Sequence, residues 1–377
     1  MTTRRATGIG KRWAVVLVCT ALAAVFSAAE LARAAPQDRS SENDERLKRL
    51  LERFPQADAD KDGVLTMEEA RAFRNRLEQW RRQRQERQRA AEKSRPAPTH
   101  ADVKYGPHER NVFDVWLPDS DAAEKPLPVF VYFHGGGFVA GDKSRFDPTP
   151  YLKLGYAAVS SNYRFVNGDD VLAPIPMQDC ARAIQHLRFK AAEFGVDPTK
   201  VAVSGGSAGA VITMWIAYKD DMADPNSDDP VSRQSTRVTC IVPVSGPTNL
   251  DPDWIREHLG GPPEVHSSMP VFYGVHDGDY HRPEVRRLVE ESSAVHHASA
   301  DDPPSLLIYG GTLDNLPLPS DASQGLLIHH PYFGKVLKDR LDELGVQCEF
   351  RYGRERPSTE EIGKFLARHL GTRRSEP

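Results

Sequence analysis

The chain has 377 residues, 39% of them hydrophobic and 27% charged, with a formal net charge of −4 at pH 7. That length supports a large buried core. The acidic balance argues against nucleic acid as a partner, and four cysteines are too few for a disulfide framework.

The first segment carries Arg4, Arg5, Lys11 and Arg12, then an uncharged, mostly apolar run from Trp13 to Ala29, then Ala32-Arg33-Ala34 as a small-residue cleavage site. Residues 1–34 therefore predict a signal peptide and an exported protein, periplasmic or secreted. At 17 residues the apolar run is also just short of a membrane span, which leaves an uncleaved N-terminal anchor as the alternative.

An acidic twelve-residue loop follows, Asp58-Ala59-Asp60-Lys61-Asp62-Gly63-Val64-Leu65-Thr66-Met67-Glu68-Glu69. It matches the EF-hand pattern. Carboxylates of Asp58, Asp60, Asp62 and Glu69, the Val64 carbonyl and Thr66 would supply the hard oxygen ligands that Ca2+ prefers, with Gly63 at the sharp turn. Helical patterns on either side complete a calcium-binding segment over residues 35–75. Only one such loop is visible, so structural calcium, docking on the rest of the chain, or an EF-hand-mediated dimer are the open expectations.

Residues 76–100 read as a charged helical linker, since the stretch from Arg71 to Arg95 holds ten basic and three acidic residues before Ser94-Arg95-Pro96-Ala97-Pro98-Thr99 breaks it. From residue 101 strand-like and helix-like runs alternate: 112–117, 129–133, 157–161, 201–204, 238–244, 306–309 and 348–352, with a helix over 177–194 among those between. Such alternation predicts an α/β fold with a mostly parallel central sheet flanked by helices. Residues 248–295 show no strand and carry several prolines and histidines, as a cap would.

Two motifs in this region carry chemistry. The strand-like run Leu127 to Phe133 ends in His134-Gly135-Gly136-Gly137-Phe138, whose glycines let backbone N–H groups approach an oxyanion closely. Downstream, Val201-Ala202-Val203-Ser204-Gly205-Gly206-Ser207-Ala208-Gly209 runs through Gly-x-Ser-x-Gly into a helix, the pattern that presents a serine nucleophile on a tight turn. Ser207 is the candidate nucleophile.

Together with Gly141-Asp142-Lys143-Ser144, Asn162-Tyr163-Arg164-Phe165 and Ala173-Pro174-Ile175-Pro176, these motifs make residues 101–372 resemble an α/β-hydrolase of the bacterial esterase group related to hormone-sensitive lipase and to acetyl- and feruloyl-type esterases. The resemblance implies oxyanion-hole amides at Gly136, Gly137 and Ala208, a loop-shaping role for His134, and the triad carboxylate at Asp314. It implies short-chain carboxylic or carbohydrate esters as substrates and no cofactor for catalysis.

The base is harder to place. The family carries it on the loop after the last strand, and Gly353-Arg354-Glu355-Arg356-Pro357 has no histidine. Ser358 and Glu361 form a capping box that puts His369 about 16 Å along the next helix. His329 and His330 fall in the right order, but Pro331 predicts a helix start beside them, whose positive end disfavours an imidazolium. His276, His281, His296 and His297 lie in the cap segment. Two readings stay open: an active serine esterase with an unplaced base, and a catalytically impaired scaffold that binds an ester or carbohydrate.

Overall fold

Val-, Ile- and Phe-rich runs line up as a mixed eight-stranded sheet in the order β1-β2-β4-β3-β5-β6-β7-β8. The strands are β1 His100–Lys104, β2 Val112–Trp116, β3 Leu127–Phe133, β4 Ala157–Ser161, β5 Val196–Gly206, β6 Cys240–Val244, β7 Ser305–Tyr309 and β8 Cys348–Tyr352. From β4 to β8 every pairing is parallel, while β1 and β2 form an antiparallel edge. The inner strands β2, β4 and β7 are buried at every position, as strands covered on both faces must be. The computed structural model describes residues 39–119 and 126–371 and divides into two compact units, one ending at Ala91 and one beginning at Glu92. The expected signal segment at 1–34 lies outside the described residues.

The seven expected strands are present, and β1 is an eighth that the sequence reading did not identify. In the smaller unit, α1 Glu45–Arg53 starts on the Asp44 side chain, which accepts the Arg46 N–H, and α2 runs unbroken over Met67–Ser94. The expected division between an EF-hand segment ending at 75 and a linker starting at 76 is therefore not a break in the backbone. Among the described residues of this unit, Leu47, Ala57, Leu65 and Phe73 are the buried hydrophobic ones.

In the larger unit the helices are α3 Thr149–Lys153, α4 Ile175–Phe189, α5 Ala191–Phe194, α6 Ala208–Tyr218, α7 Pro252–Leu259, α8 Met269–Tyr273, α9 Pro283–Ser292, α10 Gln324–Ile328, α11 Tyr332–Glu343 and α12 Thr359–Leu370. The single helix expected over 177–194 is thus two, α4 and α5. Every residue of α6 is buried, because it packs against the centre of the sheet beneath the turn that holds Ser207. Residues 248–295 form α7, α8 and α9 with no strand among them. Cys180 and Cys240 are buried thiols and Cys348 is half-buried. Among the described residues no helix is long and apolar enough to cross a membrane.

Candidate active site

Parallel β3 and β5 end side by side, with Phe133 paired to Gly205. The loops beyond their carboxyl ends therefore converge, as in other open α/β sheets. Ser207 caps α6 with φ 55° and ψ −120°, a left-handed conformation that costs a non-glycine residue of order 1–3 kcal/mol. The surrounding packing holds it there. Ser207 N–H donates to the Val244 carbonyl at 2.9 Å, and a Cβ on Gly209 would come within 2.0 Å of the Phe133 carbonyl oxygen.

The glycine loop presses on this turn from the other side. A Cβ on Gly135 would lie 2.6 Å from the Gly206 carbonyl oxygen, and one on Gly136 2.1 Å from that of Ala140. Both Gly136 and Gly137 have positive φ, 126° and 59°. Among the described residues the N–H groups of Gly136, Gly137 and Ala208 donate to no protein acceptor, although Gly136 accepts from Val139 and Ala140 through its carbonyl. Gly137 and Ala208 border the cavity that also contains Ser207.

His134 faces away from this chemistry. Its ring stacks on Tyr163 at 4.3 Å between centroids, its carbonyl accepts the Tyr163 hydroxyl at 2.7 Å, and its Nε2 lies 3.3 Å from Arg110 Nη2. Burial, helped by the Arg110 charge, pulls its pKa down to about 4. A ring held neutral in this way shapes the loop.

The base is His329. Its Nε2 lies 2.9 Å from Ser207 Oγ, within reach of the proton a general base must take. The expected helix start is there, with Pro331 capping α11, but His329 also caps the C-terminal end of α10. Burial lowers its pKa, and a hydrogen bond to the Gly325 backbone pulls the other way. Its neighbour His330 is buried and accepts the Tyr332 N–H on Nδ1.

Asp314 follows β7 as expected, yet its side chain is exposed and makes no hydrogen bond or ion pair among the described residues. Asn315, next to it, has φ 77°. The structure brings Ser207 and His329 together and leaves the carboxylate outside that pair. Of the cap histidines, His297 hydrogen-bonds the Glu291 carbonyl and His281 lies 3.5 Å from Asp253, neither at Ser207. One that the sequence reading did not weigh, His266, lines the cavity instead.

That cavity is about 40 Å3, bounded by Phe138, Val211, Leu250, Ile255, Met269 and Phe272 among others. It holds about three water-sized groups.

In the smaller unit, carboxylate oxygens of Asp58, Asp60 and Glu69 lie within 4.8 Å of one another. Asp58 accepts the N–H groups of Lys61 and Gly63, Asp62 accepts that of Val64, and Thr66 Oγ1 donates to Glu69 at 2.8 Å. Gly63 has φ 87°, so the turn needs the residue the motif puts there. Although the Asp62 N–H lowers it, desolvation and the charges of Asp62 and Glu69 leave the Asp60 carboxyl above its ordinary value. Crowded, all-oxygen and anionic, the donor set fits a hard cation. The loop edge that a second copy would pair with is taken within the chain: Ser41 N–H donates to the Leu65 carbonyl and Leu65 N–H to Ser41 Oγ, both at 2.9 Å. The expected dimer through this loop therefore lacks a free edge.

A family model described as BD-FAE matches residues 113–327, which is more than half of the chain. The chain belongs to the BD-FAE family. The BD-FAE match takes in the glycine loop, Ser207 and Asp314, and stops two residues short of His329. Curated relatives include the esterase LipQ of Mycobacterium tuberculosis, 26% identical over 56% of this chain and 48% of that protein. Versiconal hemiacetal acetate esterase of Dothistroma septosporum is 29% identical over 40% of this chain and 44% of its own length. The chain spans less than half the length of these relatives. Among solved structures, a truncated carbohydrate esterase from gut microbiota superposes with a TM-score of 0.57 at 19% identity, covering 73% of this chain and 99% of that one. A thermophilic esterase of Thermogutta terrifontis gives 0.54 at 20% identity, covering 74% and 98%. Both likenesses speak for an α/β-hydrolase fold.

Proposed function

We propose that this BD-FAE chain is an exported serine hydrolase that cleaves short-chain carboxylic or carbohydrate esters through an acyl-enzyme on Ser207. The observation that carries the reading is the 2.9 Å contact between Ser207 Oγ and His329 Nε2. With one ring N–H turned to the Gly325 carbonyl, Nε2 is bare and accepts the serine proton as Oγ attacks the ester carbonyl carbon. Negative charge then develops on the carbonyl oxygen, where the N–H groups of Gly136, Gly137 and Ala208 stand without other partners. The imidazolium returns its proton to the departing alcohol, and a water, activated by the same nitrogen, releases the acid. The impaired-scaffold alternative rested on a missing base, and His329 removes that support.

Hydrolysis of 4-nitrophenyl acetate by the purified protein, beside Ser207→Ala, tests the proposal. Turnover that survives the substitution would sink it. A fluorophosphonate that labels the wild-type serine, located by peptide mass, gives a second reading independent of turnover.

The reading includes calcium in the 58–69 loop, held by Asp58, Asp60, Asp62, the Val64 carbonyl, Thr66 and Glu69. There the ion would join α1 to α2 across a small core, a structural task separate from ester chemistry. Calorimetric titration of chelator-treated protein with Ca2+, repeated on Glu69→Gln, checks it: heat in the first and none in the second is the expected result.

A further inference from the structure

His266 sits in the cap between α7 and α8, and its ring is locked by its neighbour. The Ser268 backbone N–H donates to His266 Nδ1 at 3.2 Å, and Ser268 Oγ lies 2.7 Å from the same nitrogen. A backbone N–H can only donate, so Nδ1 is an acceptor and the proton of the neutral ring is on Nε2. Burial and the nearby charge of His329 both lower its pKa, which keeps the ring in that neutral form. Nε2 has no protein partner among the described residues, and it is not among their fully enclosed, unpartnered atoms.

The ring is placed against the oxyanion loop. A Cβ on Gly137 would come within 3.2 Å of both His266 Cε1 and Ser268 Oγ. His266 and Ser268 border the same cavity as Ser207 and Ala208, in a wall otherwise mostly apolar. His329, which interacts with His266 electrostatically, is the group that hands a proton to the leaving alcohol. A lone N–H donor on that side of an apolar cavity gains most from an acceptor in the alcohol half of the ester.

We propose that His266 is a specificity-determining residue whose Nε2–H donates to a hydroxyl or ether oxygen next to the ester's alcohol carbon, selecting polyol esters over plain alkyl esters. The inference rests on the serine esterase reading and deepens it. Glycerol monoacetate and propyl acetate share one acyl group and differ in the oxygens His266 would recognise. The ratio of their kcat/KM values should fall about tenfold in His266→Phe, and stay within about threefold of wild type in His266→Gln, whose amide restores a donor near the Nε2 position. An unchanged ratio in His266→Phe, or equal losses on both esters, would overturn the proposal. Should the wild type turn over neither ester, the esterase reading fails by itself. The donor is then read from the imidazole 15N spectrum: an Nε2–H resonance moved by glycerol monoacetate and not by propyl acetate supports it. An Nδ1–H tautomer, or no difference between the two additives, overturns it.

Discussion

Ser207 and His329 meet at 2.9 Å, yet they stand on different kinds of scaffold. The serine is held between two parallel strands and the buried helix α6, where backbone contacts of 2–3 Å at would-be Cβ positions leave almost no freedom of sequence. The histidine caps the five-residue α10 in the long connection after β7, and few backbone constraints announce it. Chemistry that needs a strained backbone leaves a motif, whereas chemistry that needs only a side chain at the right point in space does not. In the proposed mechanism serine and base are equally necessary, so their legibility reflects the scaffold and not their importance.

Substitutions can sharpen this contrast. Ser207→Ala should lower kcat for a short ester by about 10⁵-fold or more, and His329→Ala by a similar factor, since nucleophile and base act as one unit. The double variant should be little worse than either, which steady-state assays on all three would show. Multiplying losses would mean that His329 is not the base for Ser207. On the glycine side, Gly136→Ala forces a Cβ to within 2.1 Å of the Ala140 carbonyl, and displacing an oxyanion donor costs about 10²- to 10³-fold in kcat. Esterase assays paired with circular dichroism would separate this from unfolding.

Asp314→Asn should cost less than about tenfold, against the roughly 10⁴-fold loss of a triad carboxylate, because the side chain is exposed and unpaired. A loss near 10⁴ would show that the carboxylate reaches His329 during turnover. The pH dependence gives a smaller effect. Burial lowers the His329 pKa, and the neutral ring is the base, so kcat/KM should rise with pH through a midpoint below 6.5 and be level near pH 7. His134 makes its own contribution to stability. Its pKa falls from 6.5 to about 4 on folding, so the folded state loses up to about 3 kcal/mol as pH drops through that window. Denaturant titrations at pH 7 and pH 4, with and without His134→Gln, would read this difference.

Much of the fold is written locally. Seven of eight strands follow from apolar runs bounded by turn residues; β1, with its mostly exposed pattern, does not. In the unbroken α2 the Arg- and Glu-rich stretch is the continuation of the helix that starts at Met67. His266 had no motif at all. Only its position, 3.2 Å from a would-be Cβ on Gly137, marks it.

By itself the sequence determined the elements whose physics is local: the alternating strands, the elbow at Ser207, the glycine loop and the twelve-residue acidic turn. Each demands particular residues at particular spacings because backbone torsions and close approaches allow few others. Tertiary structure alone decided the partners. It chose His329 over six other candidate histidines, turned Asp314 to solvent, locked the His266 ring, and set Ser41 on the edge of the acidic loop. Such pairings join residues up to 122 positions apart, and nothing in a local pattern records which side chains folding will bring within hydrogen-bond distance.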